Sequence, residues 1–263
     1  MRAAAAKYLD YHSTLRPVAA MEVDFPHGMV TGFHSHPRAQ LLYAIEGVMI
    51  VSASSGYWVV PPNRAVWLVA DAPHNVRMCG SVKIRTLYVD PYLSAGLPVE
   101  SCVLAVSPLL RELLVAAVRI PRDYDRDSRD ERLLRLLLDE LKTHDVVPLH
   151  LPMPENGKLR ALCQAIIDSP ENTATARQWG MRIGVTAKTV QRMFMRETGC
   201  SFAQWRRQAR LLRSLELLAR GEKIIDVAYG SGYTSQSAFT AMFRKHFGIT
   251  PSDFFGAAES RSV

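Results

Sequence analysis

The sequence predicts a two-domain protein: a β-barrel or sandwich with a helical hairpin behind it, then an all-α domain made of two helix-turn-helix units. Three observations carry this reading. The hydrophobic period switches from strand-like to helical at Ser107, a proline-rich stretch interrupts the chain at 147–154, and all the net positive charge falls after it. The expected domains are 1–147 and 155–263, joined by a linker at 148–154. At about 100–200 residues per domain, 263 residues accommodate two.

The elements follow in order. The start, Met1 to Asp10, is alanine-rich but lacks the apolar core and cleavage site of a signal peptide. From Val18 to about Tyr92 short β-rich runs recur at 40–45, 48–51, 57–60, 66–69 and 84–89, punctuated by Glu46-Gly47, Ser54-Ser55-Gly56 and Pro61-Pro62. Such spacing reads as a sandwich or barrel, with the prolines at a bend because they cannot donate to a central ladder. Ser107-Pro108 opens a helix whose stripe is Leu109, Leu110, Leu113, Leu114, Ala117 and Val118. After a charged connection at 121–130, Leu134, Leu137, Leu138 and Leu141 mark a second helix. These two helices either cap the β domain or, through the leucine face of 131–142, join two subunits as a homodimer. Val147 to Pro154 holds three prolines in eight residues, which forces extended backbone. Six helices are expected beyond it, at 158–169, 175–183, 186–198, 202–219, 224–230 and from Ser235 to about 247.

Composition excludes several classes. With 48% apolar and 22% charged residues the chain is neither disordered nor collagen-like. No apolar run is long enough to span a bilayer. Cys79, Cys102, Cys163 and Cys200 form no C-x-x-C pair, so neither a zinc ribbon nor a disulfide framework is signalled, and a cytoplasmic location is expected. Residues 1–154 carry 16 basic and 16 acidic side chains, whereas 155–263 carry 16 and 9. That asymmetry points to a neutral domain joined to one that meets a polyanion.

An internal repeat sharpens this. Gly184-Val185-Thr186 precedes Lys188 to Phe194 and then Gly199; Gly232-Tyr233-Thr234-Ser235 precedes Ser237 to Phe243 and then Gly248. Each copy is a short helix, a glycine-containing turn and a longer helix, the helix-turn-helix pattern. On the first longer helix Val190, Met193 and Phe194 face inward, leaving Lys188, Gln191 and Arg192 outward. On the second Phe239, Met242 and Phe243 face inward, leaving Gln236, Ser237, Thr240 and Ala241 outward. Gln matches adenine N6/N7 and Arg matches guanine O6/N7 in the major groove. Arg244 and Lys245 fit phosphate, as do the helix N-termini at Thr186 and Ser235. Double-stranded DNA is therefore the expected partner.

These motifs resemble a known family. Gln191-Arg192-Met193-Phe194, Glu197-Thr198-Gly199, Arg210-Leu211, Ile225-Asp226-Val227-Ala228, Gly232-Tyr233, Ser237-Ala238-Phe239 and the run Phe243 to Pro251 make residues 158–254 similar to the DNA-binding domain of AraC/XylS transcription regulators. The resemblance implies seven helices, a long fourth helix bridging two subdomains, and two recognition helices entering successive major grooves. It also implies promoter DNA and RNA polymerase as partners. One departure is Ala241, where many relatives carry a larger polar or basic residue.

The N-terminal half carries His34-Ser35-His36 and, further on, Asp71-Ala72-Pro73-His74. Two apart in a strand, His34 and His36 would share a face. With Gln40 and His74 the order resembles the two cupin motifs, H-x-H-x(3)-E and P-x-G-x-x-H, with Gln40 at the glutamate position and Val69 and Asp71 where Pro and Gly are usual. Trp58 to Trp67 resembles the sensory half of regulators with a cupin-like N-terminus. Most of that group bind a small effector and require no cofactor. His34, His36, Gln40 and His74 are thus candidate ligand-binding residues at the mouth of the barrel. His34, His36 and His74 are also candidate ligands for a divalent metal, or simply line the barrel. The competing reading is a metal-dependent cupin enzyme, a dioxygenase or isomerase, fused to a DNA-binding domain.

Overall fold

A computed structural model describes residues 14–254, apart from positions 94, 144, 148 and 248. The alanine-rich start, Pro148 of the proline-rich stretch and Gly248 of the second repeat lie outside the described residues. The chain divides into two compact units, Met1–Ala53 with Val60–Pro148, and Ser54–Val59 with Leu149–Val263. The strands are β1 (Val18–Phe25), β2 (Ala39–Ala53), β3 (Gly56–Val60), β4 (Arg64–Leu68), β5 (His74–Val89), β6 (Cys102–Ala105), β7 (Val146–Val147) and β8 (His150–Pro152).

In the first unit the antiparallel order is β1-β5-β2-β4-β6-β7. Register explains why both faces of this sheet are apolar. Gln40 lies opposite Leu68 and Tyr88, and Leu42 opposite Val66 and Thr86, while Ala19 and Met21 continue these rows from β1. Residues that face one another across a ladder share a side. The alternate residues Leu41, Tyr43, Ala65, Trp67, Leu87 and Val89 form a separate core with the helices. Glu46-Gly47, read from sequence as a break, is a register shift within one long strand. Gly47 sits where a Cβ would lie 2.3 Å from Ser81 O, so only glycine lets β2 pass that point. Likewise β5 runs unbroken for 16 residues, where sequence patterning reveals only its last six. Pro61-Pro62 does fall between β3 and β4.

The helical hairpin is α1 (Pro108–Ala117) and α2 (Arg129–Lys142). Ser107 and Ser128 cap them, accepting the backbone N–H of Leu110 and Glu131. Leu134, Leu137, Leu138 and Leu141 are buried with Leu110, Leu113, Leu114 and Ala117 in the core that covers the sheet. Of the two readings of these helices, the leucine face of 131–142 follows the first and caps its own sheet. Its physical reason is that the helix-facing side of the sheet is as apolar as its other side and needs a cover. A fully buried Leu is worth roughly 1.5–3 kcal/mol, which holds this face against the sheet.

In the second unit β3 pairs with β8, Trp58 opposite His150. The extended backbone imposed by the prolines around residue 150 is thus used as a strand. The helices are α3 (Gly157–Asp168), α4 (Ala176–Ile183), α5 (Ala187–Thr198), α6 (Phe202–Ala219), α7 (Ile224–Gly230) and α8 (Gln236–Phe247). Residues 251–254 are also helical, at the position of the implied seventh helix. Thr175 and Ser201 form complete capping boxes with Gln178 and Gln204. The long α6 packs on α3, α5 and α7, and Trp205 on it donates its indole N–H to Pro152 O at 2.7 Å. Phe194 packs against Phe202 and Trp205, and Phe243 against Phe239 and Phe254, giving each helix-turn-helix its own aromatic centre.

Candidate functional site

The first helix-turn-helix is α4 and α5. Gly180 on α4 lies where a Cβ would come 2.6 Å from Val185 O, so a small residue is required for the turn to close. Val190 and Phe194 are fully buried and Met193 partly, which turns Lys188, Gln191 and Arg192 to the exposed side as expected. Thr186 caps α5, its hydroxyl accepting the Thr189 N–H at 3.2 Å, so it offers backbone rather than side chain to a ligand. Gln191 is partly committed, because its Oε1 accepts the Phe202 N–H at 3.4 Å. Arg196 pairs with Glu197. Met195, which patterning did not single out, is 55% exposed on the same side as Arg192.

On α8 the side opposite Phe239 and Phe243 forms one open depression lined by Gln236, Ser237, Thr240, Ala241, Arg244, Lys245 and Thr250. The five polar or basic residues expected here from α8 are therefore brought together. Ser235 caps the helix through the Ala238 N–H at 3.1 Å. Not all the positive charge of this unit faces outward. Arg206 donates to Ala174 O, and Arg210 to Pro170 O and Asn172 O, pinning the α3–α4 loop to α6.

In the first unit the structure brings His34, His36 and His74 together, with ring centroids 4.4–6.1 Å apart. His34 and His36 do not sit in a strand. They lie in an extended loop, held by reciprocal 2.9 Å hydrogen bonds between the backbones of His34 and His74. One ring nitrogen of each lies within 4.8 Å of the others. Each Nδ1 faces a backbone carbonyl: Gly32 O for His34, Arg38 O for His36 and Ala72 O for His74. Such contacts set the tautomer that leaves Nε2 without a proton. His36 Nε2 lies 2.8 Å from Gln40 Oε1, and Gln40 Nε2 donates to Thr86 Oγ1 and Tyr88 Oη. Tyr88 and Thr86 thus belong to the site. Their alternation with Leu87 puts both on one face of the 84–89 strand, but only register places them opposite Leu42 and Gln40.

The electrostatics favour neutral rings at His36 and His74. Burial holds His74 down at about 4, with the neighbouring His34 and His36 adding to the effect. Burial also lowers His36, against its bond to Gln40. A neutral His36 between two oxygen acceptors satisfies only one of them. A metal ion at Nε2 removes the mismatch, with Gln40 as co-ligand, and so does a Gln40 amide turned to donate. His74 Nε2 is buried and has no hydrogen-bond partner among the described residues. The donor set, three imidazole nitrogens held from behind by carbonyls and one amide oxygen, therefore fits a divalent transition metal, but supplies no negative charge to retain it.

Comparison with known proteins agrees with both halves. Residues 20–151 match the family described as AraC-like ligand binding domain, and residues 179–257 match a helix-turn-helix domain family. The chain is 31% identical over 218 residues to the HTH-type transcriptional regulator NimR of Escherichia coli K12, covering 83% of this chain and 80% of that one. It is 32% identical over 131 residues to the HTH-type transcriptional regulator RipA of Corynebacterium glutamicum, covering 50% and 38% respectively. The regulatory protein SoxS of E. coli K12 is 36% identical over 89 residues, 34% of this chain and 80% of SoxS.

Proposed function

The chain belongs to the AraC family of transcription regulators, and from that premise we propose that its histidine cluster is the effector site and that α5 and α8 are the surfaces that read promoter DNA. The family is one of regulators rather than enzymes, so the cupin-enzyme alternative falls away. No helix among the described residues is long and apolar enough to cross a membrane. We place the protein in the cytoplasm, with RNA polymerase as a partner.

The observation that carries the sensing role is the convergence of His34, His36, His74, Gln40 and Tyr88 on the side of the sheet opposite its helices. Every one of these groups is uncharged when the rings are neutral. They suit a neutral polar molecule of small size better than a carboxylate, which would need a cation. Transmission follows from β2, which presents Gln40 to this side and Leu41 and Tyr43 to the core shared with α1 and α2. A ligand that moves Gln40 strains that core and so shifts the hairpin. A homodimer, if it uses the hairpin, meets through the outward side of α2 near Leu136, which is 46% exposed.

A second reading rests on the buried, unpartnered His74 Nε2: the cluster holds a divalent transition metal, through which an effector is anchored. Native mass spectrometry and elemental analysis of the full chain purified from cells test both. An organic molecule retained by wild type and lost from H34A/H36A supports the first reading, and a stoichiometric metal lost in the same way supports the second. Equal retention by the double variant contradicts both.

A further inference from the structure

The inference rests on the DNA-reading role of α8 and concerns how that helix discriminates bases. Ala241 lies in the middle of its exposed side. On a helix, residues three and four apart are neighbours, so Ala241 has Ser237 one turn before it and Lys245 one turn after. Thr240 and Arg244 flank it on the adjoining row. All five line the open depression, together with Gln236. A single methyl group surrounded by longer side chains explains why the surface dips there. The helix beneath is fixed by Phe239 and Phe243, which are 0% exposed, so the depression does not depend on a mobile part of the core.

Chemistry selects the occupant. The side chain at the bottom of the depression is apolar, two cations stand at its C-terminal end, and a long amide stands at its N-terminal end. The cations suit a polyanion, in a unit that carries the chain's entire net positive charge. In duplex DNA the one apolar group that projects into the major groove is the thymine C5 methyl, and alanine and the threonine methyl are side chains that receive it. Gln236 stands one turn before Thr240 and matches adenine N6/N7.

We propose that the depression over Ala241 receives a thymine methyl, so that the second helix-turn-helix reads an A·T pair by apolar contact where a larger side chain would read by hydrogen bonding. The short residue at 241 is then a specificity determinant. Burying one methyl corresponds to roughly a fourfold change in affinity, less than a bidentate arginine contributes.

The test uses the full chain. A high-affinity duplex is first selected from randomised DNA. Each thymine is then replaced in turn by deoxyuridine, which removes the methyl and leaves base pairing intact. In the half-site contacted by α8, one replacement should weaken wild-type binding about fourfold. The same replacement should not change the binding of A241Q, whose side chain fills the depression. A flat deoxyuridine scan across that half-site, on a duplex still bound selectively, overturns the inference and leaves DNA reading by α8 standing. An unchanged methyl effect in A241Q also overturns it, because the methyl is then read elsewhere. Failure to select any duplex at all overturns the DNA-reading role itself.

Discussion

Replacing His74 by phenylalanine should remove one pH-dependent contribution to the stability of the β domain and so reverse the stability order of variant and wild type between pH 7.5 and pH 5.0. His74 is 1% exposed and its ring is held neutral down to a pKa of about 4, against an ordinary value of 6.5. Below pH 6.5 the unfolded chain takes up a proton at this ring and the folded chain does not. The unfolded state then binds more protons, so stability rises with pH across this window. The contribution is complete above pH 6.5 and is lost as pH falls towards 4, where it has cost about 3 kcal/mol at about 1.36 kcal/mol per pH unit. At pH 5.0 the loss is about 2 kcal/mol. Phenylalanine fits the same ring space, 4.4 Å from His34 and 5.2 Å from His36. It forfeits the 2.8 Å bond from Nδ1 to Ala72 O, which costs about 1 kcal/mol. H74F should therefore be about 1 kcal/mol less stable than wild type at pH 7.5 and about 1 kcal/mol more stable at pH 5.0. Urea denaturation of both proteins at both pH values measures this, since titrations common to the two cancel. Parallel pH profiles would refute the neutral, buried ring.

Three further outcomes are expected. Arg192→Ala should cost roughly 1–3 kcal/mol of DNA affinity and relax preference at one base pair, while Gln191→Ala costs less because its Oε1 already accepts the Phe202 N–H; binding selections on randomised duplexes compare them. Gly232→Ala should destabilise the helical unit by more than about 1 kcal/mol, because its φ is +78° and a Cβ would lie 2.7 Å from the Arg210 guanidinium and 2.8 Å from Pro170 O; thermal melts read it. Leu137→Ala should cost about 2–5 kcal/mol of subunit stability and leave any dimer constant unchanged, which sedimentation at several concentrations would show.

The helical half was legible because most of its helices announce themselves locally. Thr175, Thr186, Ser201 and Ser235 are capping hydroxyls, Gly184 and Gly199 close the helices they follow, and the inward residues recur at 3.6 spacing. The β half was less legible because pairing is non-local. The first residues of β5, from His74, alternate in burial, but Cys79-Gly80-Ser81 interrupts the pattern, and pairing with the second half of β2 carries the strand through. The leucine face of α2 looked like an interface because a sequence cannot show which apolar surface a helix meets. Of the candidate ligand site, the three histidines and Gln40 were readable from motif spacing. Thr86 and Tyr88 were not, since only strand register brings them opposite Leu42 and Gln40. The tether on Gln191 likewise depends on α6 starting beside it.

The central claim is that the histidine cluster senses while α5 and α8 bind. It is tested most directly by mapping the DNA occupied by the full chain in cells, with transcription of the adjacent genes, for wild type and for H34A/H36A. The double variant should occupy the same promoters to the same extent and should no longer change their transcription across conditions in which wild type does. Loss of occupancy, or a response equal to that of wild type, would contradict the division of labour between the two units.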